Sequence, residues 1–324
     1  MRLRRASRTS FAVLAILALV QPARPQGWPE RPVRIVVPFA AGGNGDIIAR
    51  IIAQHLGEAF AQQFIVEDHP GASGTIAAEL VARSAPDGHT LLMGNVPAIA
   101  VAPALGRLAY DPSKDFAPIS NIGTNPFVLV VHPSIPANTA REFVAYVRKQ
   151  PNKVTYAASG VGSLTHLLMA LFAKRADLEL IPVMYKGGAA PLTDVLAGHV
   201  KAYFANLSTA VPHARSDALR LLAVTSEDRA PQIPDVPTFG EAGFAQFTAL
   251  TWNGLLAPAA TPKAIVDRLA AEVARGVHTP QLARRLIDNG YEPLGNTPDE
   301  FAATIAADIA LWAEAVKIAG VQDR

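Results

Sequence analysis

The sequence predicts an α/β fold in two lobes, with mostly parallel sheets flanked by helices. Two observations carry that expectation. Short apolar runs alternate with helix-periodic segments along most of the chain, the pattern of parallel sheets joined by crossover helices. A unit of strand, glycine bend and helix also occurs twice, at 33–56 and at 154–172, about 120 residues apart and one in each half, as a protein closing two lobes on one ligand requires.

Taken in order, strands are expected over 33–39, 64–67, 90–94, 117–122, 127–131, 154–158, 180–185, 200–204, 220–225 and 251–257. Helices are expected over 46–61, 75–84, 140–149, 163–175, 190–197 and in three segments beyond 262. Ile35, Val36 and Val37 form a continuous apolar run, which suits a buried strand. Ile47, Ile48, Ile51 and Ile52 then recur at helical spacing. Phe143, Tyr146, Phe172 and Trp312 sit on helical patterns and belong to the core rather than to a binding stripe. Proline-marked passages at 123–126 and after 225 are candidate crossings between lobes. They place one lobe at 27–124 plus 226–324 and the other at 125–225.

Composition narrows the function classes. A chain of 324 residues, 50% hydrophobic and 17% charged, buries a core easily and is long enough for two domains. The first 26 residues read as a secretory signal, with basic MRLRRASR, an apolar run over 11–20 and a helix-breaking QPARP. Ten apolar residues are too few to span a bilayer. Arg2, Arg4, Arg5, Arg8 and Arg24 lie in that leader, so subtracting these five from the overall +2 leaves −3 for the mature chain. A mildly acidic protein offers nucleic acid no electrostatic footing. With no cysteine there is neither a disulfide nor a lipid-attachment site, so a free, soluble, exported protein is expected.

The first bend, Phe39-Ala40-Ala41-Gly42-Gly43-Asn44-Gly45-Asp46, presents bare backbone N–H groups and a helix N-terminus to an anion. It contains no Lys or Arg, which suits a carboxylate better than a triphosphate. A dinucleotide fingerprint needs a third glycine where Ile48 stands, and no G-K-[ST] follows either bend. Asp46 has two possible roles that avoid repelling an anion: first-turn partner of the helix, or acceptor for an ammonium or hydroxyl of the ligand.

The second bend runs Ser159-Gly160-Val161-Gly162-Ser163, with His166 one turn on. Ser163 and His166 are helix neighbours, but nothing orients the histidine and the G-x-S-x-G elbow is absent. Ser163 reads as an N-cap or ligand-facing hydroxyl and His166 as a polar core or rim residue. No hydrolase is expected. The eight histidines fall in no metal-ligand spacing, and neither a metal nor another cofactor is expected. A third bend, Lys186-Gly187-Gly188, precedes a helix carrying Asp194; Lys186 pairs either with a ligand carboxylate or with Asp194 or another acid.

With these bends in place, the chain resembles the Bug solute receptors of tripartite tricarboxylate transporters. The likeness runs through WPERPVRIVVPFAAGGNGDIIAR at 28–50, VEDHPGASGTIAAELVARSAPDGHTLLMGN at 66–95, YAASGVGSLTHL at 156–167, YKGGAAPLTDVLAGHV at 185–200 and LLAVTSEDRAPQIPDVPTFGEAGF at 221–244. The resemblance implies a periplasmic binding protein of the Venus-flytrap, type II-like kind, with no catalysis. It implies a monomer that binds a small carboxylate (a di- or tricarboxylate, an acidic amino acid or an aromatic acid) and passes it to membrane transporter subunits or to a sensor kinase. Binding is carried onto Phe39, Ala41, Gly42, Gly43, Asn44, Gly45 and Asp46, onto Gly160, Gly162, Ser163 and His166, and onto Lys186, Gly187, Asp194, Asn95 and Asn206. The sequence departs from the family bend at Ala41, where a proline is usual, and at Gly45, where a hydroxyl or larger residue is usual. Loss of a side chain at 45 is expected to widen the pocket or change which ligand fits.

Overall fold

The computed structural model describes residues 27–321 apart from 40, 43, 107, 186–189, 215–217 and 246, and of Asn44 the backbone alone. The leader over 1–26 and the residues Gly43, Lys186 and Gly187 therefore lie outside the described residues.

In chain order the first half carries β1 (Val33–Val37), α1 (Asn44–Phe60), β2 (Phe64–Asp68), α2 (Thr75–Ala82), β3 (Thr90–Asn95), α3 (Ala102–Leu105), β4 (Phe116–Val131) and α4 (Ala140–Arg148). Next come β5 (Thr155–Ala158), α5 (Leu164–Ala176), β6 (Ile181–Met184), α6 (Ala190–Leu196), β7 (Ala202–Asn206), α7 (Leu207–Ala210) and β8 (Arg220–Val224). The chain ends with β9 (Leu250–Pro258), α8 (Lys263–Val277), α9 (Pro280–Asp288), β10 (Glu292–Pro293) and α10 (Pro298–Ala319). A short 3₁₀ turn (Ala72–Gly74) leads into α2, and a π-helical turn (Pro97–Val101) into α3.

The strands follow the order β2-β1-β3-β9-β4-β7-β5-β6, with β8 and β10 also paired to β4. The outer pairs are parallel: β1 with β2 and β3, β5 with β6 and β7. Pairings of β4 and β9 are antiparallel, so the sheet is mixed through its middle. The alternation of strand and helix along the chain is blind to this, because β9 arrives from a distant segment.

One expectation is corrected outright. The strands read at 117–122 and 127–131 are one continuous strand, β4, running through Gly123 and Pro126. Its first part, through Pro126, pairs with β9; from Phe127 it pairs with β7 and β8. Proline lacks the N–H of an interior strand residue and so looks like a break, but Pro126 stands where β4 leaves one set of partners for another.

Thr225 ties that junction together. Its backbone N–H donates to the Phe127 carbonyl at 2.9 Å, and its hydroxyl oxygen accepts from the Phe127 N–H at 2.9 Å. The hydroxyl proton goes to the Ala249 carbonyl, and the Ala249 N–H returns to the Thr225 carbonyl at 3.1 Å. Both passages between the sheet halves, at 125–127 and at 225–250, thus meet at one fully buried hydroxyl.

Helices cover both faces of each half. Ile48, Ile52 and Leu56 of α1 and Leu269 and Val273 of α8 pack on one face of the β1-β3-β9 region. Val195 of α6 and Leu207 of α7 cover the outer face of the β4-β7-β5 region. The remaining core is shared: Phe172 of α5 packs edge to face on Phe204 of β7, Phe239 and Phe247, and Phe301, Trp312 and Val316 of α10 join the same cluster. Phe143, Phe172 and Trp312 are core residues, and α10 bridges both halves.

Thr225→Val keeps the shape of the side chain and removes the hydroxyl, stranding the Phe127 N–H and the Ala249 carbonyl. Urea unfolding is expected to show a loss of about 1–3 kcal/mol with an unchanged m-value. An unchanged midpoint would mean the junction does not depend on this hydroxyl.

Candidate functional site

At the first bend the chain leaves β1 through Pro38 and Phe39 and enters α1. Asp46 is only 2% exposed. Its Oδ2 accepts the Gly42 N–H at 2.8 Å, and its Oδ1 lies 2.7 Å from Arg50 Nε. Arg50 also reaches Asp68 at 3.1 Å. Burial acts to raise the Asp46 pKa, but Arg50 and the Gly42 N–H together outweigh it and hold the carboxyl below its ordinary value. Asp46 is therefore the internal partner of the bend and of the helix start, with its charge matched by Arg50.

Gly45 has a different purpose. A Cβ there would lie 2.2 Å from Phe39 Cδ2, so the Phe39 ring is seated on the bare helix backbone. The space freed at position 45 is filled by Phe39, and the expectation that it widens the pocket is corrected. Ala41 and Gly42 are exposed.

At the second bend Gly160 and Gly162 have φ of +147° and +73°. Ser163 caps α5: its Oγ accepts the His166 N–H at 3.3 Å and donates to the Gly160 carbonyl at 2.7 Å. The Thr165 hydroxyl accepts the Ser159 N–H at 2.9 Å, and the hydroxyls of Ser159 and Tyr203 lie 3.1 Å apart. Nδ1 of His166 accepts the Gly162 N–H at 3.2 Å, and burial lowers the pKa of the ring, favouring neutral imidazole. Ser163 and His166 each hold the bend and do not form a nucleophile–base pair with each other.

Asn95 ends β3 at 4% exposure. Its Oδ1 accepts the Ala98 N–H at 3.0 Å, which fixes the amide and leaves Nδ2 without a hydrogen bond among the described residues. Asp194 on α6 accepts the Tyr185 hydroxyl and lies 3.5 Å from His199 Nδ1; the Tyr185 bond first, then His199, holds its carboxyl below the ordinary value. Asn206 occupies the N-cap position of α7 but makes no side-chain cap there, and its Oδ1 is buried without a hydrogen-bond partner among the described residues.

A cavity of about 660 Å³ lies between the two bends. Of the residues singled out from the sequence, Phe39, Asn95, Gly160, Gly162 and Ser163 line it. Ala41, Gly42, Gly45, Asp46, His166, Asp194 and Asn206 do not. A third contribution comes from residues not singled out from the sequence: Ala72, Ser73 and Thr75 also line the cavity. Ala72 and Ser73 have φ of +45° and +55°, strain of the kind that clusters at ligand sites. The signal was available, since Gly71 and Gly74 lie between β2 and α2 in another strand–bend–helix arrangement. Gly74 also marks a close approach, because a Cβ there would lie 2.9 Å from Pro38 Cβ and 3.2 Å from Asn95 Oδ1. The first bend, the start of α2 and the end of β3 thus converge. A second, more open groove of about 770 Å³ runs between α1 and β2 past Arg50, Glu58 and Val66 and receives nothing from the second bend.

Residues 48–321 match the tripartite tricarboxylate transporter family receptor. The chain belongs to this receptor family. It is 32% identical over 311 residues to Protein BugT of Bordetella pertussis, covering 95% of each chain. It is 34% identical over 310 residues to a UPF0065 protein in the tcbD-tcbE intergenic region of Pseudomonas sp. strain P51, covering 95% of this chain and 92% of that one. Among solved structures it is similar to R. palustris Rpa4515 with adipate, at 36% identity and a TM-score of 0.76, over 90% of this chain and 98% of that one. It is likewise similar to MatC from Rhodopseudomonas palustris with bound malate, at 34% identity and a TM-score of 0.73, over 89% and 99%. The periplasmic binding protein BugD gives 34% identity and a TM-score of 0.73 over 92% and 100%. These relatives are solute-binding proteins, so this receptor is not an enzyme. Among the described residues no helix is long and apolar enough to cross a membrane.

Gly45→Ala is expected to push the Phe39 ring off α1 and into the cavity of this receptor. A crystal structure of the variant tests this, and an unmoved ring would show that the seat at Gly45 tolerates a methyl group.

Proposed function

We propose that this chain is an exported periplasmic receptor that captures a small carboxylate between two lobes and delivers it to the membrane subunits of a tripartite tricarboxylate transporter. The lobes are taken as 27–124 plus 226–324 and 125–225, with the passages at Phe127 and Thr225 as the hinge. The observation that carries the reading is the cavity between the two bends, which has donors on both sides. From one side come the Asn95 amide and the start of α2, where Gly74 provides no side-chain cap. From the other come the backbone N–H groups of Gly160 and Val161, which make no hydrogen bond among the described residues, the Gly162 N–H and the Ser163 hydroxyl being used within the bend.

Adipate and malate, named with two relatives, are small carboxylates of the size such a cavity holds. A carboxylate in this position replaces its water shell with oriented N–H groups, each charge-assisted bond contributing about 1.5–3 kcal/mol. Helix N-termini add a favourable partial positive charge. Because the donors belong to both lobes, the ligand favours the closed member of an open–closed equilibrium, and that closed form is the one recognised by the transporter. The leader over 1–26 directs export, and the leaderless chain works as a free monomer.

A thermal-shift screen of mono-, di- and tricarboxylates against the mature chain tests the reading. At a hundredfold excess over Kd, a binding carboxylate is expected to stabilise by about 2.7 kcal/mol. Asn95→Asp keeps an acceptor for the Ala98 N–H but replaces the Nδ2 donor with a carboxylate oxygen, and is expected to weaken that ligand about tenfold or more. If no carboxylate shifts the melting temperature, the assignment is wrong.

A further inference from the structure

Resting on that reading of the cavity, we infer that the carboxylate this receptor selects has an apolar body, an aliphatic chain or a ring, rather than a hydroxylated or multiply charged skeleton. The walls carry the inference. Among the described residues, the polar side chains that line the cavity are Ser73, Thr75, Asn95, Ser159 and Ser163, all neutral. Between them stands a larger apolar surface formed by Phe39, Val101, Leu105, Leu108, Val161 and Leu164.

One of these residues, Val161, is placed in a way that core packing does not account for. Val161 is 69% exposed at the tip of the second bend, between the two lining glycines. A branched aliphatic side chain in that position gains from burial only when something apolar covers it. Leu105, at the end of α3, stands against the same bend from the other side; its methyl groups would lie 3.5 and 3.6 Å from a Cβ on Gly162. Leucine and valine thus both line the ligand space, Leu105 from one half and Val161 from the other. Phe39 completes the apolar wall, with its ring held in position by the seat on Gly45.

Electrostatics point the same way. Asp46 is matched internally by Arg50, and among the described residues no Lys, Arg or His lines the cavity. One carboxylate can be satisfied by the amide and backbone donors. Further carboxylates or hydroxyls set against Leu105, Leu108 and Val161 would lose water without gaining a partner, at a cost that opposes binding.

Calorimetric titration of the mature chain with butyrate, hexanoate, octanoate, benzoate, tartrate and citrate tests the inference. Affinity is expected to rise about fourfold for each methylene added from butyrate to hexanoate, and hexanoate or benzoate is expected to bind more tightly than tartrate or citrate. Val161→Asn, at a position 69% exposed, is expected to flatten the dependence on chain length while melting like the parent. Equal affinity along the straight-chain series, or tighter binding of tartrate or citrate, would overturn the apolar-body inference and leave the carboxylate receptor standing. Absence of binding by all six acids would overturn the inference, and the broader carboxylate screen decides the receptor reading separately.

Discussion

Phe127 is the residue at which β4 changes partners, and the buried hydroxyl of Thr225 satisfies its N–H there. The rest of the architecture depends on that junction. A strand of sixteen residues can serve two sheet regions only if the backbone groups freed at the crossing find other partners, since an unpaired buried N–H or carbonyl costs as much as a lost hydrogen bond. Thr225 meets this need for both passages at once, joining Phe127 to Ala249. With the crossing fixed, the carboxyl ends of β1 and β3 from one half and of β5 from the other open onto the same crevice, the usual ligand position in open α/β sheets. The helix α10 spans the crossing on the core side, so the halves share a hydrophobic cluster behind the cavity as well as a strand beside it.

The charge arrangement follows from the same economy. Binding an anion calls for positive potential, yet the acidic group nearest the first bend, Asp46, is used to organise the helix start and is neutralised by Arg50. Among the described residues, what faces the cavity is neutral: an amide, hydroxyls, glycine backbone and the start of α2. Oriented dipoles of this kind need no reorganisation when a carboxylate arrives, and they leave room for apolar side chains that a cluster of lysines or arginines would displace.

Much of this was legible in the sequence. Strand, glycine bend and helix at 33–56 and 154–172 are local patterns, and local patterns survive folding. So does Ser163 at a helix start, whereas Asn95 came only through the family likeness. The continuity of β4 was hidden because Pro126 resembles a strand end until its antiparallel partner, Leu250, is known. Ser73 and Thr75 were hidden because Pro70-Gly71-Ala72-Ser73-Gly74 has the chemistry of any turn, and its arrival beside Asn95 depends on the close approach at Gly74. Gly45 was misread for the opposite reason: a missing side chain looks like empty space, whereas a neighbour six residues back occupies it. Each of these misses is a matter of tertiary proximity, which periodicity and spacing do not encode.

A crystal structure of the mature chain grown with a carboxylate that raises its melting temperature is the most direct test that the two bends form one site. The account predicts the ligand in the cavity between the bends, with a carboxylate oxygen within hydrogen-bond distance of Asn95 Nδ2 and the second bend in contact with the same molecule. Ligand density in the groove between α1 and β2, or contact with one bend alone, would contradict it.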